Sequence, residues 1–269
     1  MDVFSAIVLG IVQGVTEFLP VSSTGHLILA RSVLGVETSH ALAFDAVLHL
    51  ATAAAVIVYF WDELWLLLQT LLRKLGRLPV NERDFTLLIA LMVGTIPAVV
   101  LGLSLESLME TVFRSPLVVA VLLVVGSLFF MYAEYVYQHR HHERPMSVGL
   151  GFKIGLFQCL ALIPGFSRSG STIAGGMLLG LTRGEAARFG FLLAVPVILG
   201  AGVKKCIELL SSDVVVAWVP VGIGAVVSFV VGMLAIHFML SFVRRHTLWL
   251  FIWYRIVLAG FVVFVYTFG

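Results

Sequence analysis

The chain has 269 residues, of which 60% are hydrophobic and only 12% are charged, and its mean hydropathy is +1.08. A soluble domain carries about 25% charged residues because its surface must be hydrated, so this composition excludes a water-soluble globular protein. The net charge of +2 gives no support for nucleic-acid binding. The surplus of apolar residues instead predicts an integral membrane protein.

Long apolar segments recur along the chain. A helix that crosses the hydrocarbon core needs about 20 mostly apolar residues. We predict six membrane-spanning helices, at about 41–61, 85–105, 116–137, 186–203, 217–240 and 248–268. The first residues lack the basic segment and the cleavage site of a secretory signal, so we expect the N-terminal stretch to belong to the mature protein. Cys159 and Cys206 are expected to be small buried side chains without a disulfide.

Two further apolar stretches are interrupted by polar residues. Residues 1–34 are broken at 17–26, and residues 148–181 are broken at 164–172. Non-helical backbone at membrane depth is tolerated only where protein or a water-filled cavity surrounds it. Each stretch is therefore predicted to be a re-entrant helix-loop-helix element.

The two interruptions resemble each other at a constant separation of 145 residues. At this offset Ser22 corresponds to Ser167, and Gly25 corresponds to Gly170. Three predicted spans follow each interruption, so the second half would lie upside down relative to the first. In transporters built this way, interrupted helices at matching positions indicate a site near the bilayer midplane.

We therefore predict an all-α integral membrane protein with six transmembrane helices and two re-entrant helix-loop-helix elements in a 3+3 inverted-topology repeat. Residues 1–269 form a single membrane domain, with halves of about 1–137 and 148–269 joined by a cytoplasmic loop, 138–147.

Positive charges predict the orientation, because cytoplasmic loops carry an excess of Lys and Arg. If the 62–84 connection is cytoplasmic, eleven Lys and Arg residues lie inside and four lie outside. Both termini and the first re-entrant element then face outward, and the second element enters from the cytoplasm. The histidine-rich tract 139–143 is expected to be part of a solvated cytoplasmic loop and not a metal site.

The first polar loop begins with Gln13 and Glu17, which are four residues apart and share one face of a helix. Their oxygens suit Mg²⁺ or Ca²⁺, which prefer oxygen ligands. A polar pair that bonds to a neighbouring helix is the alternative.

Further along this loop, Ser22, Ser23 and Thr24 provide three consecutive hydroxyls where a helix is expected to begin, and a helix N-terminus favours an anion. His26 is the expected proton carrier, with an interhelical hydrogen bond as the alternative.

The second polar loop adds Arg168, whose guanidinium suits a phosphate group. A salt bridge to Glu17 is the structural alternative. The residues that flank the arginine and are expected to help bind phosphate are Ser167, Ser169, Gly170 and Thr172. Together the two loops suit the binding of a phosphate-bearing lipid, by either an enzyme or a transporter.

Three other ionisable residues lie within predicted spans. Asp45 and His49 are four residues apart, and a hydrogen bond between them is the preferred interpretation, with an extension of the polar site as the alternative. The role of Arg255 is left open between a counter-charge and a side chain that reaches the interface.

Segments 13–26 and 164–172 resemble the two signature motifs of the undecaprenyl-pyrophosphate phosphatase family, whose members are also called bacitracin-resistance proteins. The length and the hydrophobic pattern of the whole chain also fit that family. The resemblance implies hydrolysis of undecaprenyl pyrophosphate to undecaprenyl phosphate and inorganic phosphate, which regenerates the carrier lipid for cell-wall synthesis. It also implies a divalent cation, Mg²⁺ or Ca²⁺, and a bacterial inner-membrane location with the site open to the periplasmic side. A transporter or flippase for a phosphate-bearing lipid is the alternative.

On this chain, the resemblance assigns Gln13 and Glu17 to a metal-associated motif, Ser23 and His26 to a catalytic loop, and Arg168 to a phosphate-binding loop. Many family members have Glu where this chain has Gln13, which shifts the carboxylate role onto Glu17. Attack on phosphorus by Ser23 with His26 as general base is the preferred mechanism, and attack by His26 or by water are the alternatives. The expected partners are the lipid substrate and membrane lipid, and a homodimer is left open.

Overall fold

The computed structural model describes residues 1–36, 41–105, 116–139, 143–210 and 217–268. These residues are mostly helical and contain no strand. The α-helices are α1 Val3–Phe18, α2 Ser23–Leu34, α3 Ala41–Tyr59, α4 Trp61–Leu75, α5 Glu82–Ser104, α6 Pro116–Gln138, α7 Val148–Gln158, α8 Arg168–Leu179, α9 Arg183–Leu210, α10 Trp218–Val243 and α11 Trp249–Phe268. A short 3₁₀ helix, Cys159–Leu162, follows α7.

The apolar helices coincide with the six predicted spans. By length and hydropathy, α5, α6, α9, α10 and α11 can each cross a membrane, and α3 with α4 forms a sixth candidate that is bent by 79°. Large apolar side chains cover much of their outer surface, as on α11, where Val257 and Phe261 are 69% and 59% exposed. Side chains of this kind are suited to lipid contact, and the prediction of an all-α integral membrane protein is confirmed.

The 62–84 connection after the first span contains a 15-residue helix, α4, that was not predicted from the sequence. It has Asp62 and Glu63 in its first turn and Arg73 and Lys74 in its last turn. This distribution of charge complements the helix dipole, positive at the N-terminus and negative at the C-terminus. The charged residues at both ends of α4 therefore stabilise the helix.

Each interrupted stretch forms a helix-loop-helix element, because α1 contacts α2 and α7 contacts α8. The first helix of each element also packs closely against a span of the other half: α1 contacts α10, and α7 contacts α5. A Cβ atom added at Gly14 would lie 2.8 Å from the carbonyl oxygen of Ser228, and one added at Gly155 would lie 2.1 Å from that of Gly94. Glycine at these positions lets the helix backbones approach, as is common between membrane helices.

Both cysteines are free thiols, as predicted, but the expectation that they are buried is wrong. Cys159 and Cys206 are each only half-buried, and the thiol of Cys159 donates to the carbonyl of Gly155 at 3.3 Å. Of the histidine-rich tract, 140–142 lie outside the described residues, and His139 contacts the carbonyl oxygen of Tyr135 through Nδ1.

Candidate functional site

The two polar loops contact each other where α2 and α8 begin. The backbone N–H of Gly165 donates to Oγ of Ser22 at 3.2 Å, and the hydroxyl of Ser169 donates to the carbonyl of Leu19 at 3.1 Å. Segments that are about half the chain apart in sequence therefore form one site. Because both helices start at this contact, the partial positive charge of two helix N-termini is concentrated here.

Ser22 and Ser167 precede α2 and α8 with an unusual backbone conformation. Their φ angles are +76° and +73°, in the left-handed region. This conformation is uncommon for residues other than glycine and costs on the order of 1 kcal/mol. The hydroxyl of Ser22 bonds to the other loop, and that of Ser167 accepts from the N–H of Gly170 at 3.2 Å. Each serine therefore changes the direction of the chain, and its hydroxyl also accepts a hydrogen bond from a backbone N–H group.

Glu17 lies at the centre of a buried cluster. Its Oε1 is 2.8 Å from Nη2 of Arg168, and the two side chains are 6% and 11% exposed. Nε2 of Gln13 donates to Oε2 of Glu17 at 3.0 Å, and Nδ1 of His49 lies 3.5 Å from the same oxygen. The hydroxyl of Ser23 also lies beside this carboxylate. The structure thus joins the end of α1 to the start of α8 through a charge pair.

Two polar atoms of this cluster retain the capacity to bind a ligand. Oε1 of Gln13 and Nη1 of Arg168 are buried, and neither has a hydrogen-bond partner in the described part of the chain. Buried polar groups nearly always have partners. The amide oxygen suits a cation, and the free side of the guanidinium suits an anion.

The residues expected to surround the phosphate mostly have partners within the protein. The hydroxyl of Thr172 donates to the carbonyls of Arg168 and Ser169, each at 3.1 Å, and Ser169 also contacts the hydroxyl of Ser167 at 3.1 Å. Thr24 is exposed in the first turn of α2. Ser167, Ser169 and Thr172 therefore stabilise the conformation of the loops.

Gly170 is required for packing. A Cβ atom added there would lie 2.0 Å from Cζ of Phe130, a fully buried side chain of α6. The glycine therefore brings the first turn of α8 against α6.

His26 is held at both ring nitrogens. Its Nδ1 lies 2.8 Å from the carbonyl oxygen of Ser22, and its Nε2 lies 2.7 Å from the hydroxyl of Tyr254. A carbonyl only accepts, so Nδ1 carries the hydrogen, and in the neutral ring Nε2 accepts from Tyr254. A general base for Ser23 would be expected to form a hydrogen bond with its hydroxyl. Such a bond between Ser23 and His26 is not among those that the described residues form.

Arg255 is a structural centre of the site that the sequence left unassigned. It is fully buried on α11, and its guanidinium lies 4.6 Å from the ring centroid of Phe130. Its five hydrogen bonds, 2.7 to 3.3 Å long, go to the hydroxyl of Ser127 and to the carbonyls of Pro20, Leu123, Gly165 and Phe166. All five N–H groups of the guanidinium can thus donate a hydrogen bond. Arg255 joins both loops to α6, and its position inside an apolar span was the only sequence signal for such a role.

Asp45 and His49 have different partners and are not bonded to each other in the described structure. Asp45 forms an ion pair with Arg31 of α2. His49 lies 2.9 Å from Nε2 of Gln13. The preferred interpretation, a mutual hydrogen bond, is therefore wrong, and His49 extends the polar cluster around Glu17.

The fold and this cluster define a class: a multi-pass helical membrane protein with a charged site assembled from two interrupted helices. The sequence model of the bacitracin resistance protein BacA family matches residues 6–261. The chain belongs to this bacitracin resistance protein family.

Individual relatives are similar over nearly their whole length. An undecaprenyl-diphosphatase of Desulforudis audaxviator is 44% identical over 262 residues, which cover 96% of each chain. An undecaprenyl-diphosphatase of Trichlorobacter lovleyi is 41% identical over 258 residues, covering 95% of this chain and 94% of the relative. One of Chloroherpeton thalassium is 41% identical over 281 residues, covering 100% and 98%.

Proposed function

We propose that this chain hydrolyses undecaprenyl pyrophosphate to undecaprenyl phosphate and inorganic phosphate, the activity for which its relatives are named. The observation that carries the proposal is the buried pair of Glu17 and Arg168 at the meeting point of two helix N-termini. A diphosphate head group needs fixed positive charge and N–H donors, and this site provides both. The reaction regenerates the carrier lipid for cell-wall synthesis and accounts for resistance to bacitracin.

We further propose that Mg²⁺ or Ca²⁺ is held by Oε1 of Gln13 and the carboxylate of Glu17. Support comes from the buried, unpartnered amide oxygen of Gln13, a residue whose amide nitrogen contacts that carboxylate at 3.0 Å. The described residues contain no group of three His, Cys, Asp or Glu side chains that could hold a metal, so the ion would need further oxygen ligands from the diphosphate and water. When bound, the ion would supply positive charge next to the diphosphate, and Nη1 of Arg168, which is buried and unpartnered, would bind a phosphate oxygen.

For the chemical step, we propose that Oγ of Ser23 attacks the terminal phosphorus. The bond between that phosphorus and the bridging oxygen breaks, and undecaprenyl phosphate leaves. Nε2 of His26 takes the serine proton, and water then hydrolyses the phosphoserine. Because Nε2 contacts Tyr254 in the structure, His26 must exchange this hydrogen bond when it accepts the proton.

We also propose that the two halves form a 3+3 inverted-topology repeat in the bacterial inner membrane, with the site open to the periplasmic side. Three features support this arrangement. The predicted topology puts eleven Lys and Arg residues on one side of the membrane and four on the other. The first helix of each half packs on a span of the other half. Ser22 and Ser167, at matching positions, share one backbone conformation.

The direct test is release of inorganic phosphate from a polyprenyl diphosphate by the purified protein. We expect release by the wild type, and a loss of at least about a hundredfold in Arg168→Ala, because that side chain supplies charge where the diphosphate binds. Arg83→Ala, at the exposed start of α5, is the control and should behave as the wild type. A wild-type protein that binds the lipid but releases no phosphate would overturn the enzyme proposal in favour of a transporter.

The nucleophile is tested separately, by rapid quenching with substrate labelled at the terminal phosphate. Label on Ser23 after peptide mapping supports the mechanism. Label on His26, or a turnover without any labelled protein, contradicts it.

A further inference from the structure

A polar cavity of about 560 Å³ lies outside the candidate site, at one end of several spans. It is lined by the end of α3, the start of α9 and the end of α10, among others. On α3 it reaches Tyr59, ten residues beyond His49 of the candidate site, a distance of about 15 Å along a helix. Positive charge predicts that this side of the protein faces the cytoplasm. The cavity is therefore distinct from the cluster around Glu17.

Three arginines line this cavity, against one acidic side chain, Glu185. Oε2 of Glu185 accepts hydrogen bonds from the N–H and the hydroxyl of Thr182, at 3.1 and 2.8 Å, so this acid caps α9. Arg183 is neutralised by the fully buried Glu134, to which its Nε donates at 3.0 Å. The other two arginines, Arg188 and Arg244, are therefore the ones that a ligand can reach, and only Arg188 of these is paired with an acid, Glu63.

Those two arginines are accessible. The side chain of Arg188 is 56% exposed, and it forms a two-point ion pair with Glu63 of α4, with Nη2 2.8 Å from Oε1 and Nε donating to Oε2 at 2.9 Å. The excess positive charge at the cavity therefore comes from Arg244. Arg244 is exposed, and its guanidinium forms no hydrogen bond or ion pair within the described ranges. A Cβ atom added at Gly184 would lie 3.5 Å from Cγ of Arg244, so this arginine lies against the first turn of α9. The dipole of that 28-residue helix adds to the positive potential.

Helix α4 places the mouth of the cavity at the membrane interface. It turns away from α3 by 79°, so it lies roughly in the membrane plane if α3 crosses. Five of its six exposed apolar side chains follow one another at alternating four- and three-residue steps, so they share one face of the helix. They are Trp61, Trp65, Leu68, Leu72 and Leu75. An amphipathic helix with tryptophans on its apolar face is typical of the interface. Glu63 on the same helix holds Arg188, so the arginines lie at head-group level.

We propose that this cavity binds the phosphate head group of an anionic phospholipid of the cytoplasmic leaflet. Arg188 and Arg244 donate to the phosphate, and Phe60, Leu240 and Val243, which also line the cavity, contact the glycerol and the first acyl carbons. Basic pockets between membrane helices on this side are suited to such lipids. The lipid is a bound ligand that is not hydrolysed, so the proposal is independent of the phosphatase activity.

The test is native mass spectrometry of the purified full chain with added phosphatidylglycerol, phosphatidylcholine or inorganic phosphate. We expect the wild type to retain phosphatidylglycerol in preference to phosphatidylcholine. The double variant Arg188→Gln/Arg244→Gln should retain phosphatidylglycerol at least about tenfold less, because two charge-assisted hydrogen bonds are lost. Arg77→Gln/Arg83→Gln removes the same charge from exposed positions outside the cavity and should match the wild type.

Equal retention of phosphatidylglycerol by the double variant and the wild type would overturn the proposal, and so would equal retention of the two lipids by the wild type. Displacement of phosphatidylglycerol by inorganic phosphate at the same concentration would assign the cavity to a free anion. Thermal unfolding of each variant checks the fold, and Arg244→Glu alone should reduce retention further than Arg244→Gln. Phosphate release by the double variant should be unchanged, which separates this test from that of the phosphatase site.

Discussion

The hydroxyl of Tyr254 lies 2.7 Å from Nε2 of His26, and the two rings are stacked with centroids 5.6 Å apart. The next residue on α11 is Arg255, which bonds to both polar loops. One short segment of the last helix therefore orients the histidine and also ties together the loops that surround it. The proposed proton acceptor is fixed by a helix more than two hundred residues away in the chain.

Tyr254→Phe removes this hydrogen bond but keeps the stacked ring. We expect kcat for phosphate release to rise about fivefold, with little change in KM, because Nε2 no longer has to give up a hydrogen bond worth about 1 kcal/mol before it takes the serine proton. Tyr266→Phe, at an exposed position near the end of α11, is the matched control. Initial rates over a substrate series measure both constants. An unchanged or lower kcat in Tyr254→Phe would contradict a step in which Nε2 exchanges this hydrogen bond for the serine proton.

Substitutions of Gln13 test the proposed cation site. Gln13→Glu adds a carboxylate beside Glu17, which should lower the Mg²⁺ concentration for half-maximal activity by about tenfold, because carboxylates are stronger ligands than amides. Gln13→Leu should raise that concentration. Activity is measured over a Mg²⁺ series after removal of metal with a chelator, which should abolish release by the wild type.

The thermal stability of the same Gln13→Glu variant should also depend on the cation. Nε2 of Gln13 lies 3.0 Å from Oε2 of Glu17, so the new carboxylate would repel Glu17 when no cation is bound. Thermal unfolding should therefore shift to lower temperature in chelator and recover with Mg²⁺. If the activity of the wild type and of both variants depends on Mg²⁺ in the same way, Gln13 is not a ligand of the cation.

Arg255→Lys tests the role of the fully buried arginine. Lysine has three donors on one nitrogen and cannot reach five acceptors spread over α6 and two loops. We expect destabilisation of about 3 kcal/mol, since each buried carbonyl left unpaired costs on the order of 1 kcal/mol or more, and loss of phosphate release. Ser127→Ala removes only one of the five bonds and should cost about 1 kcal/mol. Unfolding in detergent that shows equal stability for the two variants would contradict the role assigned to Arg255.

The sequence predicted where the site lies but not how it is held together. Polar residues within apolar stretches are costly at membrane depth, so Glu17 and Arg168 could be recognised without a structure. The partners of Arg255 could not, because four of its five acceptors are backbone carbonyls, which every residue possesses. The spacing of Asp45 and His49 placed them on one helical face, but tertiary packing gave each a different partner.

Local conformation was harder to predict than helix position. The left-handed φ of Ser22 and Ser167 usually requires glycine, and the residue type gave no signal for it. Helix α4 was not predicted, because the 62–84 connection was considered only for its charge, although the charges at both ends of the helix match its dipole. In both cases the deciding interactions involve the backbone.

Gly170 provides the last test, because the residue pattern around Arg168 predicted a role in phosphate binding, whereas the structure shows a role in packing. The Cβ of Gly170→Ala would lie 2.0 Å from Cζ of Phe130. That ring cannot easily move, since Phe130 is fully buried and faces the guanidinium of Arg255. We expect Gly170→Ala to destabilise the protein by about 1–3 kcal/mol, as overpacked cores do.

The control for this test is Gly222→Ala on α10, where an added Cβ meets no atom within 4 Å. It should be neutral or slightly stabilising, because alanine favours a helix over glycine by up to about 1 kcal/mol. Phe130→Leu in the Gly170→Ala background makes room for the new methyl group and should restore part of the lost stability and activity. If Gly170→Ala instead keeps wild-type stability and raises only KM for the polyprenyl diphosphate, the glycine acts on the phosphate and the packing role is wrong.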